Sequence, residues 1–414
     1  MPGNNSYDAV ISGGGLVGLT LGLALARGGL EVAVVDAQSP EAVTNAKFDG
    51  RVSAVALASC RMLNALGLWP QLEAVAQPIN DILVTDGSVR RGASPLFLHF
   101  DHREIGTEPL GSMIENRHTR IALIAAARET PGLTLIAPMT VKSARADDAK
   151  TVVALADGRT LEASLCLAAE GRASPLRTAA GLKLVSWEYD QTGIVTTVEH
   201  DKPHNGLAHE YFLPPGPFAI LPMTGNRSSL VWTERREGAK AIMALSDDLF
   251  TEELRRRFGT HLGAVKPVGP RWSYPLSLQI ARNYIAPRLA LVGDAAHAIH
   301  PIAGQGFNLG LRDVAALAEI LIDARRLGLD IGAPTVLEKY QRWRRFDNIA
   351  LTAATDVLNR LFSNDVAPVR LSRDLGLAIV NRIGPARRFF MRHASGALSL
   401  TPESLPRLLR GEAP

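Results

Sequence analysis

The run Gly13-Gly14-Gly15-Leu16-Val17-Gly18 constrains this 414-residue chain more than anything else in its sequence. Before it stands an apolar stretch, Asp8 to Ser12, that reads as a buried strand. After it, Leu19 to Arg27 reads as a helix closed by Gly28-Gly29, and Glu31 to Val35 as a second strand ending at Asp36. The spacing G-x-G-x-x-G in that setting predicts a βαβ unit that binds a dinucleotide. Its glycines allow a tight turn, a close approach of backbone to pyrophosphate and close packing of helix on strand, and an acid about 20 residues on accepts from ribose hydroxyls. Gly13, Gly15, Leu16, Val17, Gly18 and Asp36 are therefore candidate cofactor contacts. The motif alone does not separate a nicotinamide from a flavin.

A distant stretch, Leu289 to Asp313, makes that choice. Leu289 to Val292 is a short apolar run suited to a buried strand, and Gly293 lets the chain turn so that the Asp294 carboxylate can accept from sugar-alcohol hydroxyls. Pro301, Gly304 and Gly306 then carry the main chain close to a flat ligand, with Phe307 beside them. From Asn308 onward the spacing is helical, and free amides at that helix start favour an anion such as the pyrimidine side of a reduced flavin. A nicotinamide unit has no use for a second sugar-alcohol anchor so far downstream, so FAD is the expected cofactor.

Length predicts two lobes and an appendage, because 414 residues exceed what one core usually spans. With 46% hydrophobic and 21% charged residues and a net charge of +4, neither disorder nor nucleic-acid binding is indicated. Cys60 and Cys166 belong to no paired pattern and read as small buried side chains. His297 and His300 lie near Asp294, but the glycine-proline loop around them is explained by flavin binding, so no metal is expected. The apolar run from Tyr7 to Val35 is broken by seven glycines, Arg27 and Glu31, which argues against a membrane span or signal segment.

From Val185 to Tyr274 the chain changes character. Ile194–Val198, Glu210–Leu213 and Ser229–Thr233 are β-branched or aromatic runs between turns, as an antiparallel sheet needs. One helix is expected over residues 246–259, with Asp247 and Asp248 in its first turn and Arg255 to Arg257 compensating its dipole on a solvated face. Near the C-terminus, Arg382 to Arg392 carries no acid, and Phe389, Phe390 and Met391 interleave with arginines. That pattern suits an interfacial helix, or a helix packing its aromatics on the flavin lobe.

The stretch GDAAHAIHPIAGQGFNLGLRD, with the N-terminal glycine motif, resembles the flavin-dependent aromatic hydroxylases related to para-hydroxybenzoate hydroxylase, and most closely the branch acting on polyprenyl phenols in ubiquinone biosynthesis. The tail RHASGALSLTPESLPRLLRGE resembles that branch too, so the likeness runs from Tyr7 to Glu412. It implies an α/β fold: a Rossmann-like FAD-binding domain (1–80, 110–182 and 281–345), an inserted antiparallel-sheet substrate domain (81–109 and 183–280) and a C-terminal helical region (346–414). Asp49 to Ala54 resembles the family's arginine segment, which puts Arg51 along the cofactor. Ile114 to Arg117 implies a second arginine at the pyrophosphate, Arg117 or its competitor Arg120. Glu170 stands where relatives carry aspartate. Phe212 to Pro222 resembles the segment facing the flavin across the substrate pocket, so Pro217, Phe218 and Leu221, with Pro301, are pocket candidates.

The resemblance implies a monooxygenase in which a flavin C4a-hydroperoxide hydroxylates a polyprenylated phenol with oxygen from dioxygen. The cofactor then carries the hard chemistry, consistent with a sequence that offers no nucleophile–base constellation and no catalytic side chain. NAD(P)H or a protein partner would be the electron donor. Two other readings stay open: a hydroxylase of a small soluble aromatic acid, and a non-catalytic scaffold of a quinone-biosynthesis assembly, among whose proteins the chain would find partners. The expected place is the cytoplasm, free or peripheral on the inner membrane face.

Overall fold

The structure is a computed structural model that describes residues 5–44, 49–88, 92–299, 304–363, 367–398 and 405–414. Its first sheet has eight strands. The central path runs 285–286, 289–291, 160–168, 6–12, 32–35, 133–136, and 141–146 and 151–155 are attached at the side. Ser6–Ser12 pairs parallel with both 32–35 and 160–168, and 160–168 pairs parallel with 289–291. Parallel strands of this kind are covered on both faces, and Ala9, Val10, Ile11 and Val32 to Val34 are accordingly fully buried. The two segments singled out by their glycines are thus strands of one sheet, brought together by the intervening 160–168.

The helix Leu16–Arg27 packs against the helix Gln305–Arg326. Glycine makes this contact close. A Cβ at Gly22 would lie 2.7 Å from Val34, and one at Gly28 would lie 2.3 Å from Ile322. The later helix begins at Gln305, three residues before the expected Asn308, because Gly304 adopts a left-handed conformation (φ 61°) that turns the chain into it.

The second sheet, also eight-stranded, runs 297–298, 265–281, 184–200, 227–235, 216–223, 207–213, 81–88, 92–101. It is antiparallel except where 207–213 pairs parallel with 81–88. Residues far upstream thereby complete a sheet made mostly of later strands. One face packs on the helices Arg236–Met243 and Asp247–Phe258, burying Phe218, Trp232, Phe250, Leu254 and Phe258. The latter helix has the expected ends, Ser246 as N-cap and Gly259 at φ 79°. Its arginines are not all solvated, however: Arg257 lies over the Trp232 ring at 4.3 Å and pairs with Glu253, because its turn faces the core.

The helix Pro334–Phe362 runs unbroken through the expected boundary at 345/346. Two further helices, Ala367–Arg382 and Gly384–Ala394, follow. Arg373 reaches Asp86 at 2.7 Å in a buried pair, and Met391 is buried with Leu98, Phe100 and Leu110, so these helices pack on the second sheet. Phe389 and Phe390 stay half-exposed and do not pack on the first sheet's core. Cys166 is buried, whereas Cys60 is partly exposed.

Candidate functional site

Three elements meet around a cavity of about 660 Å³. They are the segment Asp49–Ala54, the loop and helix start with Ile299, Gly304, Gly306 and Phe307, and the second sheet's open face. Strand register explains which sheet residues reach it. Pro217, Thr233 and Tyr274 form one row across neighbouring strands, Glu210, Ala219, Val231, Val195 and Trp272 the next, and Leu221 and Ser229 a third. Alternate residues point to opposite faces. Phe218, expected in the pocket, therefore points away into the core against Trp232, while Pro217 and Leu221 on either side of it line the cavity.

The first glycine loop is shaped by backbone contact. Gly13 (φ 104°) and Gly18 leave no room for a side chain, since a Cβ would lie 2.5 Å from the Ala169 carbonyl or 1.8 Å from the Gly13 carbonyl. Gly15 differs: a Cβ there would meet nothing within 4 Å, so its backbone faces open space. The Gly14 amide donates to Asp36 Oδ2 at 2.6 Å and the Gln38 amide to Oδ1 at 2.7 Å, which orients the carboxylate beside the loop. Leu16 opens the helix. Val17 supplies the contact between the two motifs, its methyls packing against Gly293 and Gly310, where added Cβ atoms would lie 3.2 and 2.7 Å away.

Gly14, Gly15, Asp36 and Arg120 line a small recess. Arg120 is half-buried, and its guanidinium has no hydrogen-bond or ion-pair partner among the described residues. Burial lowers its pKa, Arg51 adds to this, and Asp49 and Asp36 oppose it. Arg117, the preferred expectation, does not line this recess and is ion-paired with Glu115 at 2.7 Å, which holds Arg227 too. Arg51 lines the large cavity, exposed and paired with Asp49 at 2.6 Å.

The second motif is held from behind by a buried network invisible in the spacing. Asp313 accepts from the Gly293 amide at 3.0 Å, from His297 Nε2 at 2.5 Å and from Arg344 Nε at 2.8 Å. Arg344 also reaches Asp347 at 2.6 Å, and Arg312 joins it at 3.0 Å. His297 is thereby engaged inside the protein. Asp294, by contrast, is exposed; desolvation raises its carboxyl, opposed by His297 and Arg172. Asn308 is buried and clamps the helix start to the strand Val52–Ala56, accepting from the Ala56 amide and donating to the Ala54 carbonyl, both at 2.8 Å. Pro301 and His300 lie outside the described residues.

Glu170 accepts from Ser12 Oγ at 2.7 Å, from Ser174 Oγ at 2.5 Å and from the Leu176 amide at 3.1 Å. Its longer side chain ties the first strand to the cap of the helix Pro175–Ala179. Sequence reasoning missed Glu210 altogether, although a lone acid in an apolar strand was the available signal. It is 9% exposed in the cavity floor, and burial pushes its carboxyl up to about 7.

A long dinucleotide with a flat ring fits what is present. Open backbone occurs at Gly15 and again at Gly306, where an added Cβ would also meet nothing within 4 Å. The N-terminal end of the helix Gln305–Arg326 and the unpartnered Arg120 supply positive potential at separate points.

Residues 6–350 match the family described as FAD binding domain. The chain is 54% identical to ubiquinone hydroxylase UbiL of Rhodospirillum rubrum over 404 residues, covering 98% of this chain and 92% of that protein. It is 33% identical to the 3-demethoxyubiquinol 3-hydroxylase of Escherichia coli (95% and 99% covered) and 30% identical to the human ubiquinone biosynthesis monooxygenase COQ6 (94% and 92%). Among solved structures, p-nitrophenol 4-monooxygenase PnpA from Pseudomonas putida shares the fold, with a TM-score of 0.79 at 19% identity, covering 96% of this chain and 100% of that one.

Proposed function

Because the chain belongs to the FAD-dependent hydroxylases of ubiquinone biosynthesis, we propose that its 660 Å³ cavity holds the aromatic ring of a polyprenylated phenol against FAD. The observation that carries this reading is the composition of the cavity wall. Gly304, Gly306 and Phe307 of the second glycine motif and Pro217, Ala219 and Leu221 of the sheet line one space, so a cofactor ring and a substrate ring can share it.

In this reading Gly13, Gly15, Gly18, Leu16, Val17 and Asp36 hold the adenosine end of FAD, Arg120 its pyrophosphate and Asp294 its ribitol. The expected role of Arg117 passes to Arg120 because Glu115 engages Arg117. When bound and reduced, FAD would supply the chemistry that activates dioxygen for hydroxylation of the ring. The amides at Gln305 stabilise negative charge beside Gly306 and Phe307. Pro217, Leu221, Val195 and Val231 keep water from the reacting atoms and orient the ring. The adenosine end and the flavin end would fall to the first sheet and its helices, and the substrate to the second sheet.

NAD(P)H binding transiently is the proposed reductant, since no second G-x-G-x-x-G marks a permanent nicotinamide site. No helix among the described residues is long and apolar enough to cross a membrane. A peripheral position on the inner face fits the exposed Ile379, Ile383, Phe389 and Phe390 beside Arg382 and Arg388.

The test is direct. Purified chain loaded with FAD and given NADPH and a geranyl-substituted phenol should yield a product heavier by one oxygen, with no product from the corresponding soluble aromatic acid. Turnover of the acid alone would replace this reading with that of a small-acid hydroxylase. FAD-loaded protein that oxidises neither would leave the scaffold.

A further inference from the structure

Glu210 is the one acid in an otherwise apolar row across the second sheet. Its neighbours along the row are Ala219, then Val231, Val195 and Trp272, and on its other side Val84 of the parallel strand. Its carboxyl has no hydrogen-bond or ion-pair partner among the described residues, although it is nine-tenths buried. Its oxygens are not among the sealed, unsatisfied polar atoms of the described residues, so the carboxyl opens onto the cavity and finds its partners in what the cavity holds. The cavity it faces is the one assigned to the substrate ring. The chain therefore keeps an acid where a hydrophobic residue would pack better.

We propose that Glu210 is the acid–base residue of the hydroxylation, taking the proton of the substrate's ring hydroxyl. The inference rests on the reading of the cavity as a phenol site. The O–H bond breaks with its electron pair left on oxygen and spread to the ring carbons ortho and para to it, while the proton rests on a Glu210 oxygen. One of those carbons bonds to a hydroxyl group whose oxygen comes from dioxygen, while the O–O bond breaks with its electron pair on the second oxygen, the two electrons being those of the reductant. The displaced C–H proton joins that second oxygen, which leaves as water, and the Glu210 proton returns to the ring oxygen, so Glu210 ends as it began. Electron-rich phenolate carbons are better nucleophiles than phenol carbons, which is what the step contributes.

The surroundings leave this carboxyl free to titrate with the reaction. His209 and Tyr211, its neighbours in sequence, point to the opposite face, where their rings stack on each other. Among the described residues, the ionisable groups on that side of the sheet are Asp86, paired with Arg373, Arg227, paired with Glu115, Asp49 and Arg51, paired with each other, and the Tyr274 hydroxyl. Burial alone accounts for the upward displacement of Glu210 to about 7, a value suited to a base working near neutral pH.

The experiment compares FAD-loaded wild type, Glu210→Gln and Glu210→Asp, using a geranyl-substituted phenol and its O-methyl ether. Wild-type hydroxylation should rise with pH through about 7, as burial sets the carboxyl there. Glu210→Gln should lose that limb and ~100-fold or more in kcat, the range of general acid–base catalysis, and Glu210→Asp should recover part of both. FAD retention and thermal midpoint should not fall in the glutamine variant, since no protein contact is lost. Calorimetric titration provides a readout apart from turnover: wild type should prefer the phenol to its ether, and Glu210→Gln should bind both alike. A glutamine variant with kcat within about twofold of wild type and the same pH limb overturns the assignment of Glu210 while leaving the cavity reading intact. A wild-type protein that neither binds nor hydroxylates the phenol overturns both.

Discussion

The Asp313 carboxylate accepts a 2.5 Å hydrogen bond from His297 Nε2, so that the helix after the second glycine motif holds the strand before it. The same carboxylate accepts from the amide of Gly293, whose left-handed turn (φ 62°) precedes the exposed Asp294. The second glycine motif and the buried charge network are one construction.

Asp313→Asn should therefore destabilise the protein at neutral pH by ~3–5 kcal/mol, the cost of leaving one partner of a buried ion pair uncompensated. Arg344, fully buried, would be that partner. Denaturant titration at neutral pH measures the loss. A variant as stable as wild type would show that Asp347 alone suffices for Arg344.

The same network sets an acid limit. Burial by itself raises Asp313, but His297 and Arg344 outweigh it and hold the carboxyl at about 2. Its folded pKa lies below the unfolded carboxylate value of about 4. This stabilisation is therefore complete above pH ~4 and lost as pH falls through about 2. Stability of the wild type followed into that window should drop more steeply than that of Asp313→Asn, which has no proton to gain there.

Asn308→Ala should cost ~1–3 kcal/mol, because it strands the Ala56 amide and the Ala54 carbonyl in a buried place. Since the strand carrying them also walls the cavity, FAD should dissociate faster from this variant. Stopped-flow release of FAD checks the second effect and thermal unfolding the first.

Arg120→Ala and Arg117→Ala separate two neighbouring arginines. Loss of a charge-assisted contact to pyrophosphate should weaken FAD ~10–100-fold in Arg120→Ala. Arg117→Ala, whose guanidinium is held by Glu115, should change FAD affinity by less than about threefold. Equilibrium dialysis of FAD distinguishes the two, and the opposite order would restore Arg117 to the phosphate.

Gly15→Ala and Gly18→Ala make a similar pair within the first loop. At Gly18 the added methyl collides with the Gly13 carbonyl, so apo stability should fall by ~1–3 kcal/mol. At Gly15 it meets no protein atom within 4 Å. Apo stability should then hold within ~0.5 kcal/mol while FAD affinity drops about tenfold if the proposed pyrophosphate lies against this loop.

Much of the fold and of the cofactor cradle is local in origin, and for that reason legible in one dimension. A glycine that must turn or approach, a strand run before it and a helix after it are set by neighbours in the chain, so Gly13 to Gly18, Asp36 and Gly293 to Gly306 declare themselves by spacing. What spacing could not supply depends on partners far away. Phe218 and Pro217 are adjacent, yet only the sheet's packing on the helices 236–243 and 247–258 decides which of them faces the cavity. Arg117 and Arg120 are interchangeable as arginines until Glu115 engages one of them. Asp313 and Glu210 are both buried acids, and sequence distinguishes neither. Tertiary structure surrounds the first with His297 and Arg344 and turns the second toward the cavity, because burial and pairing belong to the assembled surfaces and not to the chain.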